Sequence, residues 1–161
     1  MKAASVKELK DELNHRSPQE LLEICLRLSK FKKENKELLT YLLFESFDEA
    51  GYTEKVKQEL EEQFDSINQT NIYYIKKSVR KILRTLKRYA RYSSRKETEV
   101  ELLLYFCQKL KSFSPFIRKD TVLNSLYDRQ LLQIKKLILS LHEDLQYDYQ
   151  MELQELGTLR K

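Results

Sequence analysis

A chain of 161 residues with glycine only at 51 and 157 and proline only at 18 and 115 has few ways to fold. An average chain of this length would carry about eleven glycines and eight prolines. Tight strand turns draw on glycine for positive φ, so a many-stranded architecture is disfavoured. Helices joined by short polar turns tolerate the shortage. Apolar residues recur at three-to-four spacing along most of the chain, the periodicity of helices that each bury one face. Charged residues make up 34% and apolar ones 41%, the balance of a folded, highly soluble helical protein. A single domain over 1–161 is expected, burying about 70% of its unfolded surface.

Helix starts can be read locally. Ser5 and Glu8 have capping-box spacing, with Val6, Leu9 and Leu13 on one face. "SPQE" is the clearest start: Ser17 caps, Pro18 suits the first helical position, and Glu20 stands three residues after the cap. Leu21, Leu22, Cys25, Leu26 and Leu28 then form a stripe predicted to be buried. After "KFKKENK", with Asn35 as the expected cap, "KELLTYLLFESF" is apolar round much of its circumference, which predicts a central helix. A change of direction is expected near Gly51. Residues 53–67 present Val56, Leu60, Phe64 and Ile67 over a charged surface, and "NQTN" makes the next turn. "TEVELLLYFCQKLKSF" is a second broadly apolar helix, ended by Ser114-Pro115. From Asp120 to Leu145 the spacing predicts one long helix, or two nearly in line, and residues 150–161 read as a frayed tail. The expected fold is all-α, with about seven helices as an antiparallel bundle or a short α-α superhelical array of helical hairpins. No residue pattern repeats at a fixed period.

The segment "YYIKKSVRKILRTLKRYARY", 73–92, contains eight lysines and arginines and no acid. On a helical wheel Ile72, Ile75, Val79, Ile82, Leu83, Leu86, Tyr89 and Ala90 fill an arc of about 120°. Lys76, Lys77, Arg80, Lys81, Arg84, Lys87, Arg88 and Arg91 fill a separate arc of about 140°, with Tyr73 at its middle. From Ser66 to Lys96 there are ten basic residues and no acidic one, whereas the whole chain is only +5. Like charges at i,i+4, such as Lys76/Arg80/Arg84/Arg88, cost a helix a few tenths of a kcal/mol per pair, which a negatively charged partner would offset. One reading is a face for nucleic-acid phosphates, with tyrosines to stack on bases; an acidic protein is the other partner. The competing reading is a solvated face neutralised by Glu54, Glu59, Glu61, Glu62 and Asp65 of the preceding helix.

Catalytic and metal signatures are missing. His15 and His142 are far apart, and Cys-x-x-Cys and His-x-x-x-His spacings do not occur. Two glycines cannot build a phosphate loop. No cofactor or metal is implied, and the pattern leans away from an enzyme. Cys25 and Cys107 sit in apolar patterns and read as packing residues, Cys25 becoming a nucleophile only beside an activating base. Tyr41 and Tyr105 are expected to close hydrophobic seams, and Tyr147 and Tyr149 to dock the last helix or form a dimer contact. The longest apolar run, "LLLYFC", falls far short of the ~20 residues that span a bilayer, so a cytoplasmic protein without membrane association is expected.

The segments "KENKELLTYLLFE", "SVRKILRTLKRYARY" and "TEVELLLYFCQKL" resemble a family of small conserved hypothetical bacterial proteins over about the first two-thirds of the chain. The resemblance implies an all-helical cytoplasmic protein and assigns no ligand or catalytic residue. The functional expectation is a non-catalytic binding module using the basic face of 72–92. The alternatives are a protein scaffold with an apolar inter-helix groove, or a small ligand binder or enzyme with an unrecognised pocket.

Overall fold

The capping boxes form as their spacing predicts. The computed structural model describes residues 2–113 and 119–157. In it Ser5 opens α1 (Val6–Asn14) and Ser17 opens α2 (Pro18–Phe31), each hydroxyl accepting from the amide three residues on while Glu8 or Glu20 reaches back to the cap. α3 (Lys33–Thr40) follows and runs into one π-helical turn, Tyr41–Glu45. Asn35 does not cap α3; Lys32 takes that position, and the Asn35 amide donates to the Leu28 carbonyl at 2.9 Å. Then come α4 (Glu49–Asp65), α5 (Ile72–Ser93), α6 (Lys96–Ser112), α7 (Thr121–Ile138) and α8 (Glu143–Leu156). The described residues thus hold eight α-helices and no strand. None of these helices is long and apolar enough to cross a membrane.

The chain divides into two compact units, Met1–Phe44 and Glu45–Lys161. In the first, α2 packs on α3, yet α1, α2 and α3 contain no buried residue. Tyr41, in the π turn, is buried as expected. The stripe predicted to be buried on α2 is not: Leu22, Leu26, Leu28 and Cys25 are exposed. "KELLTYLLFESF" is likewise not a central helix, since Leu38, Leu42, Leu43 and Phe44 are exposed.

The second unit has the core. α6 is its hub, packing against α4, α5, α7 and α8, and Leu102, Leu103, Leu104, Phe106, Cys107 and Leu110 are all essentially inaccessible. A helix apolar nearly all round belongs in the middle of a bundle, and this one is there. Val56, Leu60, Phe64 and Ile67 are buried as their spacing predicts. Gly51 lies inside the first turn of α4, not at a change of direction; its amide donates to the capping Asp48 carboxylate at 3.0 Å.

The stretch from Asp120 is two helices that pack on one another, not one rod or an in-line pair. Leu139 to Leu141 turn the chain, and His142 caps α8. α8 holds its shape through Leu156, which is buried, so residues 150–156 are no frayed tail. Its terminal carbonyls are satisfied by neighbours: Lys111 Nζ donates to the Leu156 oxygen at 2.9 Å and Tyr127 Oη to the same oxygen at 3.3 Å. Ser114-Pro115, the expected end of α6, and the tail from 158 lie outside the described residues.

Candidate functional site

α5 starts where Asn71 accepts from the Tyr73 amide at 2.9 Å and stops where Ser94 turns into the left-handed region at φ 57°. Its 22 residues span about 33 Å. Ile75, Val79, Ile82, Leu86 and Ala90 are buried, as the wheel predicts, and Thr85 and Ser93 join them. The opposite face divides into two kinds of cation.

The cations at the edges of the basic arc are engaged or half-buried. Lys76 pairs with Asp120 at 2.6 Å, and Lys87 donates to Gln133 of α7 at 2.9 Å. Burial pushes the Asp120 carboxyl up, but the Lys76 ammonium and the amides of Leu123 and Val122 outweigh it and hold it below the usual carboxylate range. Arg88 is half-buried, with its guanidinium 5.2 Å from the centre of the Tyr89 ring.

The cations along the middle and one flank of the arc are Lys77, Arg80, Lys81, Arg84 and Arg91, all exposed. Among the described residues none of the five has an ion-pair partner. The acids of α4, the expected neutralising neighbour, do not reach them. Glu54 binds Lys57, and Glu59 accepts from the Tyr89 hydroxyl at 2.8 Å. Glu61 takes Lys109 and the Tyr105 hydroxyl, both on α6. The Lys109 and Tyr105 bonds hold the Glu61 carboxyl low, while burial and then Glu61 push the Tyr105 phenol well up. Thus Glu59 and Glu61 are turned toward Tyr89 and α6, because burying Val56, Leu60 and Phe64 fixes the rotation of α4.

Tyr73 and Tyr74 stand at the N-terminal end of the strip, 63% and 47% exposed, their rings edge-on with centroids 5.6 Å apart. At the other end the strip runs into a cleft of about 460 Å³ at the α5–α6 turn, lined by Lys87, Arg91, Ser94, Arg95, Lys96 and Glu99. Arg95 and Lys96 were not among the expected site residues, because they lie beyond the helix whose periodicity revealed the others. Gln133 bridges the floor of this region, accepting from Lys87 and donating to Glu99 at 2.7 Å. Arg95 also lies 3.6 Å from Glu49, whose other oxygen accepts from the Ser93 and Thr98 hydroxyls. That carboxylate ties the start of α4 to the turn that presents Arg91, Arg95 and Lys96. From Tyr73 to Arg91 the strip extends about 27 Å, the length of roughly eight base pairs at 3.4 Å each.

The other candidate groups do not converge. Cys25 lines an apolar groove of about 250 Å³ between α2 and α3, whose polar lining side chains among the described residues are Ser29 and Asn35, neither of them a base that could activate it. Cys107 is buried, and its thiol is pushed up to about 12 by that burial. His15 bonds the Asp11 carbonyl and is exposed. His142 is exposed beside Asp144. Among the described residues no three histidine, cysteine or acidic side chains are grouped to hold a metal. Tyr105 closes the α4–α6 seam, while Tyr147 is exposed and Tyr149 half-buried. No protein-family model matches the chain, and no curated protein or solved structure matches it.

Proposed function

We propose that the protein binds the phosphate backbone of a nucleic acid along the exposed strip of α5. The observation that supports this most is the set of five exposed cations, Lys77, Arg80, Lys81, Arg84 and Arg91, which have no carboxylate partner among the described residues, while Glu54, Glu59 and Glu61 of the adjacent helix bond other groups. Mutual repulsion among them is a standing cost to the helix, relieved when counterions or phosphates approach. Tyr73 and Tyr74 favour nucleic acid over an acidic protein, since exposed aromatic rings beside a cationic track give bases a surface to stack on. Binding of this kind is sequence-tolerant and needs no base-edge contact.

The test is fluorescence anisotropy with short labelled RNA and DNA at 50 and 200 mM salt. Five phosphate contacts give a log–log slope of about −4.5 on duplex DNA, so affinity falls roughly 500-fold over that range. An Arg80→Glu, Arg84→Glu variant loses at least two contacts, and its salt effect drops to about 40-fold. Absence of binding at 50 mM salt sinks the proposal. Equal competition by a polyglutamate chain would instead assign the face to an acidic protein.

A further inference from the structure

We propose that the N-terminal unit pairs with the same unit of a second copy, the α2–α3 hairpins of two chains packing face to face as a four-helix bundle. α2 carries an apolar arc of about 220°, running from Phe31 through Leu28 and Cys25 to Leu26. One packed neighbour, α3, cannot cover an arc that wide, and no residue of either helix is buried. Between Leu22 and Phe44, on the hairpin and the turn that follows it, nine large apolar side chains are exposed, on average by about half. At roughly 120 Å² per fully exposed side chain this amounts to about 570 Å² of apolar surface. A standard interface takes about 800 Å² per partner, of which roughly 65%, or about 520 Å², is apolar in homodimers.

The choice of a second copy follows from three features. Two-fold pairing needs one patch that complements itself, and a hairpin with a broad apolar face meets its twin as two layers of a bundle. Charge permits it: residues 1–44 hold nine lysines and arginines against seven acids, so two copies do not repel as two α5 faces would. The 45–157 unit has its own core, and its exposed apolar side chains are spread over Phe47, α5, α7, Leu139 and α8. Among its described residues no helix carries more than two of them, against five on α2.

Sedimentation velocity of the full chain from about 1 to 200 µM tests the pairing. The expected result is a dimer whose population falls on dilution, and a Leu22→Glu, Leu26→Glu variant that sediments as a monomer. Both side chains are exposed within the chain, so the variant should keep the wild-type unfolding transition of the core around α6. A second readout is alkylation of Cys25, which should slow at least tenfold at dimeric concentrations and recover on dilution. A monomer at every concentration, or a dimer indifferent to the two substitutions, overturns the proposal.

Discussion

Replacing Glu49 with alanine probes the joint that holds the basic turn in place. One carboxylate oxygen accepts from Ser93 and Thr98, side chains that are 9% and 3% exposed as residues. Removing the acceptor leaves two buried hydroxyls to find new partners, and an unsatisfied buried donor costs about 1–3 kcal/mol. Ser93 Oγ also accepts from the Arg95 amide at 3.3 Å, so Ser93 is not left wholly without a bond. A total near 3 kcal/mol is expected, a fall in Tm of about 6–12 °C for a chain of this size. Urea unfolding followed by circular dichroism measures it, and Glu49→Gln, which keeps an acceptor oxygen, should lose less. A double-mutant cycle with Thr98→Val is the sharper check: removing both partners should cost less than the two single changes added together, by 1 kcal/mol or more. Additivity, or a Glu49→Ala cost below about 0.5 kcal/mol, refutes the view that this carboxylate ties α4 to the α5–α6 turn.

Phe106→Ala empties a fully buried position in the hub helix, beside Phe64 at 5.6 Å, and should cost about 3–5 kcal/mol in the same assay. Asp120 gives the stability a pH dependence. Its carboxyl lies below its unfolded value, so its contribution is fully present above about pH 4 and is lost as pH falls through the lower folded value. An Asp120→Asn variant, compared with wild type by denaturant titration between pH 6 and 2, should show a flatter acid limb; an unchanged difference across that range would count against the Lys76–Asp120 bond. In a Cys25→Ser variant the one remaining thiol, Cys107, should ignore thiol reagents at pH 8 until the protein is unfolded, because it is inaccessible and its thiol is raised to about 12.

Local signals were legible in proportion to how local their chemistry is. Ser5 and Ser17 cap because their side chains reach amides three residues away, which spacing alone reveals. Asn35 misled because its amide found the Leu28 carbonyl, a partner set by how α2 and α3 pack. The hydrophobic runs at 102–107 and 38–44 read alike, yet one is a buried hub and in the other Leu38, Leu42, Leu43 and Phe44 are exposed. Periodicity reports which face wants cover and carries no record of whether a neighbour supplies it.

The sequence by itself determined the helical class, most helix starts, the inward faces of α4 and α5, and the concentration of positive charge between Ser66 and Lys96. These follow from backbone propensity and from side chains within a few residues of each other. Only the tertiary structure decided that α4 aims Glu59 at Tyr89 and Glu61 at Lys109 and Tyr105, that Lys76 and Lys87 are held by Asp120 and Gln133, and that Lys77, Arg80, Lys81, Arg84 and Arg91 remain exposed. Whether a charge is paired depends on the rotation of neighbouring helices, and that rotation is set by burying apolar faces, not by the charges themselves.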